Sequence, residues 1–327
     1  MQHRNWKSIL QQASASPEQL LSELDIEDSS LISRQANQDF PLRVPAGFIS
    51  KMSKNDPADP LFKQIWPSAE EEIDQTGFSK DPLNEVKRQA APGLLHKYHG
   101  RVLLVLTGAC AIHCRYCFRR HFPYSDSNPS GENLQKAIEY LQKETSVTEV
   151  ILSGGDPLSL SDERLSELVS RLAEIPHLKR LRIHTRFPVV VPERINEACL
   201  DWLSRTHLQL AIVLHVNHAN ELDKSVEQAI LKLRNRNISL FNQSVLLKGI
   251  NDSVQALVAL SEALFSYGII PYYLHMLDPV SGTSHFEVDE SSARLLMQEI
   301  QKRLPGYLVP RLVREDPETA HKTIINF

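Results

Sequence analysis

The sequence predicts an α/β protein built on a parallel β-sheet that helices cover. Six apolar runs are typical of buried strands, and they begin at intervals of roughly thirty residues, the size of a βα unit with its return connection. Runs that are apolar on both faces occur in parallel sheets with helices on each side. Such units fit an open, partial (β/α) barrel or an open doubly wound sheet, and periodicity alone favours neither. The predicted strands cover residues 102–106, 149–152, 181–184, 208–216, 239–247 and 269–276.

Helical patterns lie between these strands. Apolar residues spaced i, i+3, i+4 and i+7 mark one face of a helix, and this spacing recurs after several of the predicted strands. In both architectures ligands bind at the carboxyl ends of the strands, so the loops there are where functional residues are expected. The helical faces are Leu134, Ala137, Ile138 and Leu141; Leu165, Leu168, Val169 and Leu172; Val226, Ile230 and Leu233; and Val254, Leu257, Val258 and Ser261.

The flanking segments differ from the central one. Proline and polar turns interrupt the first hundred residues so often that we expect only short helices and loops, wrapped around the main body. We therefore divide the chain into an N-terminal helical and loop extension (1–100), a partial barrel (101–304) and a C-terminal tail (305–327).

Composition excludes some classes of protein. The 36 Lys and Arg residues against 40 Asp and Glu residues give a net charge of −4, which argues against a broad basic surface for nucleic acid. No apolar run approaches the ~18 residues of a membrane span, and the first residues lack the apolar core of a signal peptide. We expect a cytoplasmic protein with neither a nucleic acid nor a membrane as partner.

Three of the four cysteines fall within eight residues, directly after the first predicted strand. Their C-x3-C-x2-C spacing brings three thiolates toward one centre. Three thiolates do not complete a four-cysteine site, so a four-iron cluster held by them would keep one iron open for another ligand. The alternative is a zinc site completed by His113 or His121, whereas Cys199, inside a helical pattern, is expected to be buried and apolar. The clustered cysteines are Cys110, Cys114 and Cys117.

The cysteine loop resembles that of the radical S-adenosylmethionine (SAM) superfamily. Its extension to Cys-Arg-Tyr-Cys-Phe-Arg-Arg is similar to the lysine 2,3-aminomutase family, and segments 152–158, 215–218, 242–249 and 278–286 agree with that family in order. The resemblance implies a partial (β/α)6 TIM-like radical SAM barrel whose tail closes the site. The short chain is most similar to the bacterial branch that supplies (R)-β-lysine for modification of elongation factor P.

The resemblance implies that the three clustered cysteines hold a [4Fe–4S] cluster whose open iron binds SAM. Two glycines after the second predicted strand would let the backbone approach SAM without an intervening Cβ. Two later strand-end residues, His215 and Gln243, are also compatible with ordinary hydrogen-bonded core positions. The residues assigned to SAM are Ser153, Gly154, Gly155, Asp156, His215 and Gln243.

A second cofactor, pyridoxal 5′-phosphate (PLP), is implied by the tail. The family forms its Schiff base on a lysine that matches Lys322, although the family's glycine-rich approach is replaced here by residues 317–321. Lys97, Tyr98 and Arg101 match positions near the PLP phosphate, where cations form charge-assisted hydrogen bonds. Without the resemblance, all of these cations would be taken as solvated surface charges.

The resemblance also assigns residues to the substrate. Arg119 matches the arginine that binds the α-carboxylate, a task that suits the bidentate guanidinium fork. Asp278 and Glu315 match the two acids that hold the ε-ammonium, but the family has aspartate where this chain has Glu315. Retained acidity favours a basic amino acid over glutamate as substrate.

These assignments imply an isomerase that converts (S)-α-lysine to (R)-β-lysine by radical 2,3-amino migration. The implied partners are free L-lysine, a β-lysine ligase, elongation factor P and an electron donor such as flavodoxin, and homo-oligomerisation is left open. The alternatives are an aminomutase for another amino acid, a radical SAM enzyme without PLP, and a zinc-stabilised binding module.

Overall fold

The computed structural model describes residues 5–125 and 131–327; the first four residues, on which the expectation of no signal peptide partly rests, lie outside the described residues. Ten strands of the described chain form one sheet in chain order. The strands are β1 (Gln89–Ala91), β2 (Leu94–Tyr98), β3 (Arg101–Val105), β4 (Glu149–Ser153), β5 (Arg180–Thr185), β6 (Gln209–Leu214), β7 (Ser239–Val245), β8 (Ile270–His275), β9 (Arg311–Arg314) and β10 (Thr323–Ile324).

Strands β3 to β9 are parallel, while β1, β2 and β10 pair antiparallel at the two ends of the sheet. A doubly wound sheet reverses its strand order at a switch point, and no reversal occurs among the described strands. The predicted partial barrel is therefore confirmed, and the doubly wound alternative is wrong. All six predicted strands are present as β3 to β8.

Short helices fill the N-terminal extension, and longer ones follow the parallel strands. Several of the longer helices begin at a side-chain cap; for example, Ser161 accepts a hydrogen bond from the Arg164 amide. The helices are α1 (Trp6–Gln11), α2 (Pro17–Glu23), α3 (Arg34–Asp39), α4 (Ala46–Ile49), α5 (Pro60–Lys63), α6 (Glu132–Lys143), α7 (Asp162–Ala173), α8 (Phe187–Val190), α9 (Glu197–Arg205), α10 (Lys224–Arg234), α11 (Val254–Ser266) and α12 (Glu290–Gln301).

The predicted helical faces form the core between the helices and the sheet. Helix α7 buries Leu165, Leu168, Val169 and Leu172, and α10 buries Val226, Ile230 and Leu233. The fourth cysteine, Cys199, is fully buried on α9, as expected for a small apolar residue. Among the described residues, none of the helices has the length and apolar character needed to cross a lipid bilayer.

Four of the described strands were not predicted. Strands β1 and β2 lie in the extension, where the Pro92–Gly93 turn pointed to loops. Strands β9 and β10 lie in the tail, and β9 continues the parallel sheet beside β8. These strands have two to five residues, and none of them lies in an apolar run like those that predicted β3 to β8. As a result the tail is anchored in the sheet, and pairing of Thr323 with Arg314 fixes the chain beside Lys322.

Candidate active site

The cysteine loop follows β3 and is joined to the loop after β4 by backbone hydrogen bonds. The Leu106 amide donates to the Ser153 carbonyl over 2.9 Å, Gly155 donates to Thr107 over 2.6 Å, and the next amide, of Asp156, donates to the Ala109 carbonyl over 2.8 Å. The two loops therefore form one rigid edge at the carboxyl ends of neighbouring strands, where a parallel barrel binds its ligands.

The two glycines after β4 make this close approach possible. A Cβ on Gly155 would lie 2.5 Å from the Ala109 carbonyl oxygen, and one on Gly154 would lie 2.6 Å from the Thr107 oxygen. Gly154 also has a φ of +123°, which side chains rarely adopt. Packing between loops thus explains both glycines, and their assignment to SAM stays a prediction.

Replacement of Gly155 by alanine is expected to displace the cysteine loop. Its new Cβ meets backbone atoms that cannot rotate away, and overpacking of this kind costs ~1–3 kcal/mol. Urea unfolding and the iron content after anaerobic reconstitution measure both effects. A Cβ on Gly47 would meet no described heavy atom within 4 Å, so G47A is the control. Equal iron content and stability in G155A and the wild type would contradict the packing role.

The N-terminal extension supports the cysteine loop from the other side. The His113 amide donates to the Arg43 carbonyl over 3.0 Å, and the Arg115 amide donates to the Gln64 carbonyl over 2.8 Å. Arg115 is fully buried and binds both carboxylate oxygens of Glu71, at 2.7 and 2.6 Å. The extension is therefore a scaffold for the loop.

Two histidines were considered as completing a zinc site. The His113 ring stacks on Phe40 and its Nδ1 lies 2.7 Å from the Pro41 carbonyl oxygen, while Nε2 of His121 lies 3.2 Å from the Ser281 oxygen. Both rings thus interact with groups outside the cysteine loop. Residues 5–125 and 131–327 contain no three His, Cys, Asp or Glu side chains placed to hold a single metal ion.

The three thiols fit the donor set of a four-iron cluster, in which each cysteine ligates its own iron. All three are free and partly exposed. Burial and the neighbouring thiols raise the pKa of Cys117 to about 11 and also raise the pKa of Cys110. The protein environment alone therefore favours neutral thiols at these two positions, and cluster assembly must release their protons.

The residues assigned to SAM lie toward the carboxyl ends of β4, β6 and β7, but the Asp156 carboxylate already has hydrogen-bond partners within the chain. Its carboxylate accepts hydrogen bonds from the Thr185 hydroxyl, at 2.8 and 2.9 Å, and from the amides of Arg186 and Leu158. Burial raises the pKa of Asp156 to about 6 in spite of these bonds. Through its hydrogen bonds to Thr185 and Arg186, Asp156 links the loop after β4 to the end of β5.

His215 and Gln243 differ in their surroundings. Nε2 of His215 lies 2.9 Å from the Tyr116 hydroxyl, and burial together with the charge of Arg186 lowers the pKa of His215 to about 3. The imidazole is therefore neutral at physiological pH. The side-chain amide of Gln243, in contrast, has no hydrogen bond within the part of the chain that the structure describes. The assignment of Gln243 to SAM stays a prediction.

The residues assigned to PLP converge on Glu315. Lys97 Nζ donates to its carboxylate over 2.9 Å, and both the Tyr98 hydroxyl and Lys322 Nζ donate to it as well. The Arg101 guanidinium lies 4.5 Å from the centre of the Tyr98 ring. Burial would raise the pKa of Glu315, but the charge of Lys322 and these hydrogen bonds outweigh it and lower the pKa to about 2.

Two histidines beside this cluster were not identified from the sequence. His184 on β5 and His275 on β8 each have a buried Nε2 without a hydrogen-bond partner among the described residues. Burial and nearby cations, Lys322 included, lower the pKa of both imidazoles. Unpaired polar atoms next to a cluster of cations fit an anionic cofactor with polar ring substituents. The available signal was a polar residue inside each predicted buried strand.

The residues assigned to the substrate occupy the same region. The Arg119 guanidinium donates hydrogen bonds to both carboxylate oxygens of Glu85, at 2.7 and 2.6 Å, and to the Ser153 hydroxyl, at 3.0 Å. Its fork therefore already binds a carboxylate, which a substrate carboxylate would replace. Burial raises the pKa of Asp278 to about 7, against the opposing charge of Lys322. Glu85 was missed because the sequence shows it only as one of many polar residues.

Comparison with known proteins shows which family this chain resembles. The model of the Radical SAM superfamily matches residues 104–260. L-lysine 2,3-aminomutase of Escherichia coli K12 is 48% identical over 313 residues, 95% of this chain and 91% of the relative. The Haemophilus influenzae protein of the same name is 46% identical over 99% of this chain and 96% of its own. That of Clostridium subterminale is 37% identical over 88% and 70%.

Proposed function

Because this chain belongs to the L-lysine 2,3-aminomutase family of radical SAM enzymes, we propose that it isomerises (S)-α-lysine to (R)-β-lysine. One observation carries the proposal: Lys322, a cluster of cations and two acids meet in the barrel whose strand ends carry the three cysteines. That arrangement supplies a covalent anchor, an anion site and an ammonium site next to a radical source.

The cofactors carry the chemistry, and the chain positions them. When bound, the cluster and SAM supply a radical that removes hydrogen, and PLP supplies the carbonyl and ring that support nitrogen migration. The three cysteines would hold the cluster, and Lys322 would hold PLP. Lys97 and Arg101, which both lie over the Tyr98 ring, are the cations that would bind the PLP phosphate.

The remaining polar groups of the site match the charged groups of the substrate. Arg119 binds the α-carboxylate with its fork, while Asp278 and Glu315 hold the ε-ammonium. Within the chain, Glu315 accepts a hydrogen bond from Lys322 Nζ. A lysine nucleophile needs a free amine to react, and movement of Glu315 toward the substrate ammonium would release the Lys322 amine from this hydrogen bond.

The direct test is conversion of labelled lysine by anaerobically reconstituted protein with SAM and PLP. We expect β-lysine as product and no comparable product from glutamate. Failure to form β-lysine with a full complement of iron, sulfide and PLP contradicts the proposal.

We also propose for this chain the physiological role of the bacterial family branch that it resembles. The chain supplies free (R)-β-lysine to a separate ligase in the cytoplasm, which attaches it to a lysine of elongation factor P, and an electron donor such as flavodoxin reduces the cluster. Similarity to the short bacterial aminomutases supports this role. Deletion of the gene should leave elongation factor P without the β-lysyl group, and added (R)-β-lysine should restore it. A β-lysyl group retained in the deletion strain contradicts the role.

Substitution of Asp278 by asparagine is expected to increase the stability of the protein and to decrease its activity. The folded pKa is about 7, whereas an unfolded aspartate titrates near ~4. Between these values the folded chain binds the additional proton, so the free energy of unfolding falls as pH rises from about 4 to about 7 and stays low above it. D278N lacks this loss, so the amount by which its free energy of unfolding exceeds that of the wild type grows with pH. Its conversion of lysine is expected to be lower than that of the wild type.

Chemical denaturation at a series of pH values measures this difference. A stability difference between D278N and the wild type that does not change with pH would contradict the raised pKa. Unchanged KM for lysine in D278N would separately contradict the ammonium site.

A further inference from the structure

A buried guanidinium donates a hydrogen bond to one of the three cysteines. Arg186 directly follows β5, and its Nη1 lies 2.7 Å from Cys114 Sγ and 2.9 Å from the Tyr116 hydroxyl. On its other side Nη2 donates to Gln64 over 2.7 Å and to Glu221 over 2.8 Å. None of the cofactor or substrate roles assigned above uses this group.

The surroundings hold Arg186 in place. Its side chain is 7% exposed and that of Glu221 is fully buried. Glu221 is fixed in turn by the Asn217 amide, at 2.8 Å, and by the Gln64 side chain, at 3.2 Å. The Arg186 amide also donates to Asp156. The guanidinium therefore cannot swing away from the sulfur without breaking a connected buried network, which costs several hydrogen bonds at once.

The position of this charge has a consequence for electron transfer. Hydrogen bonds to ligand sulfurs and local charge set the reduction potential of an iron–sulfur cluster. One-electron reduction, from [4Fe–4S]2+ to [4Fe–4S]1+, places an additional negative charge at the cluster. A cation that touches a ligand sulfur stabilises that reduced state, and the low dielectric of a buried site strengthens the effect. The carboxylate of Glu221, behind the guanidinium, opposes it.

We propose that Arg186 raises the reduction potential of the cluster through its hydrogen bond to Cys114, and that Glu221 limits the increase. The electron comes from a low-potential one-electron donor, such as dithionite in the experiment, and no bond is formed or broken in the step. This inference rests on the proposed function only in requiring that the three cysteines hold a [4Fe–4S] cluster.

The test is an anaerobic redox titration of the reconstituted full-length protein without SAM, followed by the electron paramagnetic resonance signal of the reduced cluster. We expect R186Q to shift the midpoint potential to more negative values and E221Q to shift it to more positive values. R186K, which retains the charge, should lie between R186Q and the wild type. The opposite signs for the two partners separate an electrostatic effect from general damage to the network.

Arg194 provides a matched control. It is another buried arginine, but its guanidinium binds the Leu158 carbonyl, at 2.7 Å, and Asp162. R194Q should leave the midpoint potential unchanged. A cluster-loaded R186Q with the wild-type potential overturns the inference. If R186Q fails to fold or to load a cluster, an E221Q potential that is unchanged or more negative overturns it instead.

Iron and sulfide content of the wild type separates failure of the proposed function from failure of the inference. Wild-type protein that holds no iron–sulfur cluster after reconstitution contradicts the proposed function itself. A wild-type cluster whose potential is insensitive to both Arg186 and Glu221 contradicts only the inference.

Discussion

Substitution of Lys322 by alanine is expected to abolish the visible absorption of protein-linked PLP and to reduce β-lysine formation to the level without protein. Lys322 is the amine in contact with Glu315, within the group of residues assigned to PLP. Its removal leaves no anchor at this position. Absorption spectroscopy of the purified protein and the lysine assay measure the two effects, and iron content should stay at the wild-type value.

Two further variants make this result specific. K322R keeps the charge beside Glu315 but cannot link to PLP, so it should be as inactive as K322A. K302A removes an exposed surface lysine that pairs with Glu299 and should behave as the wild type. An unchanged absorption band in K322A would refute the anchor and favour a radical SAM enzyme that does not use PLP through this lysine.

Substitution of Glu71 by methionine is expected to destabilise the protein by ~3–5 kcal/mol, because breaking a buried ion pair leaves uncompensated charge. The Glu71 carboxylate pairs with Arg115 and Arg120, at 2.6 and 2.7 Å, and all three side chains are at most 3% exposed. Loss of Glu71 leaves two buried guanidinium groups beneath the cysteine loop. Urea unfolding measures the loss of stability, and iron content measures the effect on the loop.

The neighbouring Glu70 offers a control of the same residue type. It is exposed and accepts a hydrogen bond from Ser68, so E70M should change the free energy of unfolding by less than ~0.5 kcal/mol. If E71M were as stable as E70M and kept a full complement of iron, the extension would not be the scaffold of the loop.

Periodicity predicted the regular part of the fold well. Strands β3 to β8 and the faces of the long helices follow from apolar spacing because each buries a repeating set of side chains. The family resemblance assigned Lys97, Tyr98 and Lys322 to PLP and Glu315 to the substrate, and in the structure these side chains lie in one cluster. Short strands such as β9 carried no such signal.

The ion pairs of the site could not be predicted from the sequence. Arg119 with Glu85, Arg115 with Glu71, and Arg186 with Glu221 join residues 34 to 44 positions apart. A lone Arg or Glu in a sequence is most often a solvated charge, so burial and pairing emerge only from the three-dimensional arrangement. The two glycines illustrate a related limit: their pattern indicated a close approach, but not that the approaching group is the cysteine loop.

The most direct test of radical amino migration follows hydrogen during turnover. Protein with a full complement of iron, sulfide and PLP is incubated anaerobically with unlabelled SAM and with lysine that carries deuterium at C3. We expect β-lysine and deuterium in the recovered SAM, because the abstracted hydrogen passes through the adenosyl carbon and returns to product. Absence of β-lysine from such protein, or β-lysine without any deuterium in SAM, would contradict radical amino migration by this chain.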